Sequence, residues 1–510
     1  MKPIKLPDID KSKALLFIGV ALLFKVFFFL VCMKFYGVSF QKLYFFNGDQ
    51  QGYVNFCETF YRTGVHYDGS STVKDYTYRM PNFIFIYYPI RLFFSQQITL
   101  NLIIILQTIL SAVSTYVLAL TAWFVFKRKK YFYLTFGLYC VSSYVAVYNN
   151  MLLTESIGTS LLIISVYLLF TGVKNNLLKW VFASGTLMWL CIFFRAFLGM
   201  VWVGALVYIL FAPVNFKRRL KLMLAYAVVF LLMESIWVVR NYDKTGQFIA
   251  FDSSHFWYDD MPYKAERPYV NFIKAYGFSV IDWIKDYQGT WFTAEEEAKA
   301  KGIARPGDDI FPASTFNDGL TIDSLKYART NLICARMAVD DKPDTAIQHC
   351  DAEASRMFNK FIAALKAKQP FNYYIGNRLR VTYRLLNQHT GYQLKYVHQP
   401  FKAVLGFIDY FINYLIITGG ILGIFILLGF NIRNKEFWLI AFIPVFIIVL
   451  FGFLLIEAEA RYITTAFPFL LIICVAAIIK MVEKRWFAPL VLYGGAICVL
   501  TVLGVLRDMN

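Results

Sequence analysis

Long apolar runs and short polar breaks alternate along this chain, in two blocks separated by one long polar stretch. A helix needs roughly 20 apolar residues to cross a bilayer. Runs of about that kind lie at 14–36, 98–126, 131–148, 151–170, 177–194, 196–212, 220–239, 402–430, 436–455, 462–480 and 487–506. Several are short or interrupted, and the 177–212 pair turns around Arg195. Between the seventh and eighth runs the text becomes polar over 240–401. There, Leu325, Ala328, Leu332, Ala335 and Ala338 recur at helical spacing, and Asp351, Met357, Phe361 and Leu365 continue a second amphipathic stretch. The pattern predicts a polytopic α-helical membrane protein with about eleven transmembrane helices and a mostly helical domain inserted late. Its expected divisions are 1–239 (seven helices), 240–401 and 402–510 (four helices). A further apolar run, FIFIYYPIRLFF at 83–94, is too short to span. Bracketed by Pro81 and Pro89, it predicts an amphipathic segment lying on the membrane surface.

Composition agrees. Of 510 residues 58% are hydrophobic and 16% charged, against about 25% charged in soluble domains. Charge then orients the chain. Basic clusters fall at 127–130, 174–179, 217–221, 433–435 and 480–485. Eleven crossings and a cytoplasmic N-terminus put every one of them inside, as the positive-inside rule asks. Loop 37–97, the tips near 149 and 195, the segment 240–401 and the tip at 456–461 are then outside. The net charge of +18 reads as membrane anchoring, not as a nucleic-acid footprint. Lys25, inside the first run, is expected to be paired or to face a cavity, because an ionised group in lipid is costly.

Cysteine use is sparse. Cys32, Cys140, Cys191, Cys474 and Cys498 lie in apolar runs and read as small buried hydrophobes. Cys334 and Cys350, in the outer segment, can pair in an oxidising compartment. The sequence has no Asn-X-Ser/Thr sequon, which suits a bacterial cytoplasmic (inner) membrane better than one facing the endoplasmic reticulum lumen. Rings gather near the start of the outer segment, in HFWY at 255–258 and at Trp283 and Trp291. They suit a lipid or sugar groove, or interfacial anchoring.

The ionisable candidates converge on the outer face. Asp49, Glu58, Asp68 and Asp75 crowd the first outer loop with Arg79. Glu155 opens the fourth run, Arg195 marks the next outer tip, and Glu457, Glu459, Arg461 and Tyr462 stand at the last one. Polar residues distant in sequence but gathered at one depth suggest a cavity. Asp68 and the AEEEA glutamates at 294–298 read as solvated surface. Asn47-Gly48 predicts a tight turn that aims Asp49 out above the lipid.

Four stretches resemble the GT-C superfamily of integral-membrane glycosyltransferases, in its protein-mannosyltransferase and aminoarabinose-transferase-like branch. GDQQGYVNFCETFYRTG at 48–64 is similar to the acidic start of that family's first outer loop, and YRMPNFIFIYYPI at 78–90 to its basic-plus-proline entry into a surface helix. LLTESIGTSLLIISVYLL at 152–169 resembles its acidic opening of the fourth helix, and EARYITTAFPFLLII at 459–473 its late Arg-Tyr…Pro helix. The resemblance covers nearly all of the first 215 residues and 402–480; the outer domain resembles no family. It implies a polyprenyl-phosphate-linked sugar donor, a glycan, lipid or protein acceptor and a reaction on the non-cytoplasmic face. Asp49 takes the place of the base, Glu155 that of the second acidic position and Arg79 that of the basic position near the donor phosphate. Two departures stand out. Gln50 replaces a second acid beside Asp49, and Arg79-Met80-Pro81 replaces the lysine-proline-proline common in aminoarabinose transferases, so neither that donor nor a lipid A acceptor is inferred.

The chemistry has the same requirements. Glycosyl transfer to a hydroxyl needs a base and cations for the leaving phosphate. Asp49 and Glu155 are the expected catalytic pair, with Asp75, Arg79, Arg195, Glu459, Arg461 and Tyr462 holding substrate. A divalent Mg or Mn bridging Asp49 and Glu155 is the metal reading these residues allow. One carboxylate acting on the acceptor implies inversion; two facing ones suggest a covalent intermediate. The rival readings are a glycan polymerase or ligase, and a lipid-linked sugar transporter, whose internal repeats and broken midplane helices the sequence does not display.

Overall fold

The computed structural model describes residues 11–36, 39, 41–45, 48–67, 76, 77, 79–81, 83–251, 263–283, 311, 316, 320–337, 345–387, 401–431 and 434–509. Asp68, Asp75, His255, Trp291, the 294–298 glutamates, His389 and His398, and the side chain of Lys34, fall outside that set. The described residues are helical, apart from turns and one isolated parallel bridge between Phe45 and Met151. Among the described residues, seven helices are long and apolar enough to cross a membrane, and two shorter apolar ones surround Arg195. This is an integral membrane protein.

The chain forms two compact units. The first comprises Met1–Ser253, His389–Phe446 and Ile463–Asn510. It opens with α1 (Lys11–Tyr36), α2 (Gly48–Thr63), α3 (Ile84–Arg91), α4 (Gln96–Phe126), α5 (Lys129–Val141) and the short α6 (Ser143–Ala146). A 3-10 turn at Val147–Asn150 leads to α7 (Thr154–Lys174), α8 (Leu178–Phe194), α9 (Gly199–Leu210) and α10 (Phe216–Thr245). Helices Phe401–Asn431, Lys435–Ile448, Phe467–Glu483 and Phe487–Met509 complete the set, the second of them reaching into the other unit.

Inside lipid there is little hydrophobic gain between helices, so close approach and buried hydrogen bonds set the packing. Ser184 Oγ on α8 donates to Ser165 O on α7 at 2.7 Å, and Ser114 on α4 donates to Ser160 on α7 at 3.2 Å. Gly185 lets α8 ride on α10, where any β-carbon would collide with the Tyr226 backbone. Lys25 is 1% exposed and lies 4.8 Å from the Tyr139 ring centre, its Nζ donating to the Tyr139 carbonyl at 3.4 Å. It is thus paired inside the bundle. Cys498 departs from expectation: it is exposed on the last helix, because the outward side of a lipid-facing helix is as apolar as its packed side.

The second unit comprises Ser254–Gln388 and Ile447–Tyr462. Its core joins Phe272, Phe358, Phe361, Leu325 and Leu332 from helices Glu266–Ala275, Ile322–Arg336 and Thr345–Lys368. Of the expected stripes, Leu325, Ala328, Leu332, Ala335, Met357, Phe361 and Leu365 are buried, Asp351 is partly exposed, and Ala338 lies outside the described residues. Trp283 belongs to no groove: it is fully buried and donates to the Tyr269 hydroxyl at 2.6 Å. A neutral ring with one satisfied N–H adds apolar area to a small core, which outweighs its value at a surface. Asp351 caps the entry to helix Glu266–Ala275, accepting from Ala265 N at 2.6 Å.

Cys334 and Cys350 form a disulfide between the two long helices of this unit. It closes a loop across 16 positions, and such a cross-link stabilises by roughly 3 kcal/mol. Reduction, or Cys334→Ser with Cys350→Ser, is therefore expected to lower the melting temperature. Differential scanning with and without reductant checks it; identical transitions would remove the bond from the fold's energetics.

Candidate active site

In the first unit the candidate residues meet at the start of α2 and the start of α7. The helix begins at Gly48, so Asp49 stands in its first turn, not on a free turn ahead of it. There the unpaired backbone N–H groups favour a carboxylate. Asp49 is about half exposed, and its Oδ1 lies 3.9 Å from Arg79 Nη2. Arg79 is held in place: its guanidinium lies over the Tyr53 ring at 4.0 Å. Gly52, one turn into α2, leaves room for it, since a β-carbon there would come within 3.4 Å of Arg79 Nε.

Gln50 points the other way and is fully buried. Its Oε1 accepts from the Leu152 backbone N–H at 2.9 Å. This fixes α2 against the turn before α7, and a carboxylate at 50 would bring a buried charge there. The turn itself is pinned by Gln107 Nε2, which donates to Asn149 O at 2.5 Å and Met151 O at 2.9 Å. Ser156 donates to Asn149 Oδ1 at 2.6 Å.

Glu155, in the first turn of α7, is 3% exposed and faces Arg195 at 3.4 Å. Arg195 sits where α8 ends, is 6% exposed and also donates to Thr464 Oγ1 at 3.5 Å. Its methylene groups pack on Gly158. The second Glu155 oxygen, Oε2, has no hydrogen-bond partner among the described residues. A buried carboxylate oxygen left so is costly.

Glu457, Glu459, Arg461 and Tyr462 belong to the second unit. Arg461 pairs with Glu459 at 2.5 Å, Glu457 pairs with Lys274 at 3.0 Å, and Tyr462 stacks on Phe451 at 4.0 Å. Asp75 lies outside the described residues. Among those described, no three His, Cys, Asp or Glu side chains gather to hold a metal ion. Asp49 and Glu155 each face a guanidinium instead.

Superposed on solved structures, the chain matches the apo oligosaccharyltransferase of Archaeoglobus fulgidus with a TM-score of 0.50 at 11% identity. The match takes in 98% of this chain and 55% of that one. The chain has a GT-C fold. The oligosaccharyltransferase AglB from Archaeoglobus fulgidus, in complex with an inhibitory peptide and a dolichol-phosphate, matches at a TM-score of 0.48, with 10% identity, over 98% and 55% of the two chains. Apo ArnT from Cupriavidus metallidurans matches at 0.34, with 13% identity, over 91% and 77%. The fold assignment rests on the first. The chain spans little more than half the length of that oligosaccharyltransferase. No protein-family profile and no curated protein matches the sequence significantly.

Two acidic residues of this GT-C unit have roles that the sequence did not disclose. Glu58 is buried and ties α2 to α3: Tyr87 donates its hydroxyl to it, and Arg91 Nε pairs at 2.8 Å. Asp409 accepts from the Ser143 hydroxyl at the break between α5 and α6. A signal existed for Asp409, the one acid in the apolar run 402–430.

His66 follows α2 and is 6% exposed between the Phe56 and Trp237 rings. Burial pushes its imidazole down to about 3, and the nearby Arg240 guanidinium adds to that. The unfolded chain binds a proton near pH 6.5 while the folded chain stays neutral. Stability is then present above that pH and falls as pH drops from 6.5 towards 3. At pH 5 the loss is about 2 kcal/mol. Thermal melts of the purified protein and of His66→Gln, at pH 7.5 and 5, should show the steeper fall in the wild type; parallel falls would contradict the burial account.

Proposed function

We propose that this protein is a membrane glycosyltransferase that moves a sugar from a polyprenyl-phosphate-linked donor to a hydroxyl acceptor on the non-cytoplasmic face. The observation that carries the reading is the Asp49–Arg79 pair on a GT-C fold. It sets a half-exposed carboxylate beside a guanidinium that is already oriented. An acceptor oxygen attacks the anomeric carbon as the bond from that carbon to the phosphate oxygen breaks. The acceptor proton passes to Asp49, and polyprenyl phosphate leaves with the bonding pair. Arg79 suits the phosphate, being permanently charged and fork-shaped, and it meets charge that grows in the transition state. One displacement inverts the anomeric centre.

Glu155, clamped by Arg195, supports this centre from the buried side. Asp75, Glu459, Arg461 and Tyr462 remain candidates for holding substrate. A divalent cation fits poorly beside two carboxylates that each face a guanidinium, so no step runs through one. The outward orientation is supported by the basic loops and by the disulfide of the second unit, since such bonds persist in oxidising compartments. A bacterial inner membrane is the setting this suits.

A second reading, transfer of a whole lipid-linked oligosaccharide, is favoured by the match to an oligosaccharyltransferase. Purified protein incubated with polyprenyl-phosphate monosaccharides and lipid-linked oligosaccharides separates them by which donor releases its lipid carrier in the presence of acceptor alcohols. Turnover that survives exhaustive chelation is expected. Release from no donor, with donor still moving between leaflets of proteoliposomes, would favour a transporter.

A further inference from the structure

The second unit carries an apolar stripe that its core does not use. Phe371, Ile375, Leu379 and Tyr383 recur every four residues along the π-helical turn Asn372–Gly376 and the helix Asn377–Asn387. All four are exposed, Phe371 at 65% and Tyr383 at 63%, and Tyr374 widens the stripe. Val381 and Leu385, on the opposite side, are fully buried.

What that opposite side packs against sets the depth. It lies on Val449–Leu455, the π-helical last turns of the candidate membrane span Lys435–Leu455. The approach is close. Arg378 donates to the Phe453 carbonyl, and Thr382 sits where a β-carbon on Gly452 would be. A helix fastened side by side to the end of a span lies at the level where that span leaves the hydrocarbon. Its free stripe must then face lipid or another protein.

The charges favour lipid. Arg380 is exposed next to Leu379, and Lys366 and Lys368 are exposed at the end of the preceding helix. Lys366 lies 5.8 Å from the Tyr374 ring centre. Tyrosines level with headgroups, long basic side chains beside them and aliphatic residues between are the composition of an interfacial helix. We propose that residues 371–387 form a membrane-binding surface. The acyl chains of a leaflet lie against Phe371, Ile375 and Leu379, and lipid phosphates lie against Arg380, Lys366 and Lys368. The proposal does not depend on the donor.

The test uses the full chain in vesicles of phosphatidylcholine and phosphatidylglycerol. Nitroxide labels are placed singly by Leu379→Cys, Tyr383→Cys and Lys326→Cys in a Cys498→Ser background, with Lys326 as the water-facing control. Labels at 379 and 383 should collide with oxygen, be shielded from a water-soluble nickel chelate, and lie roughly 5–10 Å into the headgroup and acyl boundary. Lys326→Cys should be open to nickel. Nickel access at 379 and 383 equal to that at 326 would overturn the proposal. So would shielding from both reagents, which marks a protein partner. Tyr383→Cys alone decides the matter if Leu379→Cys does not insert.

Discussion

Asp49→Asn is expected to lower sugar transfer by about 10²-fold or more, the scale for losing a positioned base, while donor binding stays intact. The substitution keeps shape and hydrogen bonding and removes only the charge. It should not unfold the protein, because a carboxylate at an exposed helix N-terminus contributes only about 0.3–1 kcal/mol. Arg79→Ala should behave differently. It removes the cation that meets the donor phosphate in both ground and transition states, so donor binding weakens along with turnover. Asp68→Asn, in the same loop, serves as the control and should cost little. The measurement is release of polyprenyl phosphate, with donor binding followed separately. Near-normal turnover by Asp49→Asn would make it a surface aspartate and move the search for the base to Glu155 or Asp75.

Arg195→Met is expected to destabilise the fold by roughly 3–5 kcal/mol, the cost of stranding one member of a buried ion pair. Both side chains are almost fully enclosed, at 4% and 3% exposure, so solvent cannot screen the Glu155 charge left behind. Adding Glu155→Gln should restore most of that stability, because a neutral pair strands no charge. Turnover of the double variant then separates two roles. If it recovers with the fold, Glu155 and Arg195 only position their neighbours. If the fold recovers and turnover does not, Glu155 acts on the reactants. An Arg195→Met protein that melts with the wild type would show that the pair contributes nothing to folding.

What the sequence could determine by itself was whatever follows from local chemistry. Apolar length decides which segments are able to cross a membrane, since each span must satisfy its own backbone in lipid. Charge in the short loops supplies an expected orientation. Helical periodicity located the core stripe of the second unit, because Leu325, Ala328, Leu332 and Ala335 share one face whatever they pack against. Asn47-Gly48 pointed to a turn ahead of Asp49, whereas the helix already begins at Gly48.

Other features depended on long-range contacts and were decided only by tertiary structure. Gln50 looked like a missing acid, but its carbonyl anchors α2 to Leu152, about a hundred positions away. Glu58 was one acid among several in its loop until Tyr87 and Arg91 closed over it. Glu155 and Arg195 were separate candidates until the α7–α8 hairpin set them 3.4 Å apart. Trp283 looked like a groove or interfacial-anchor residue and is core. In each case one side chain has two physically sensible fates, in solvent or in a satisfied interior. The choice depends on a partner that no window of the sequence contains. The polar cost of burial is offset only once that partner is in place, so composition and spacing marked the candidates and the fold alone paired them.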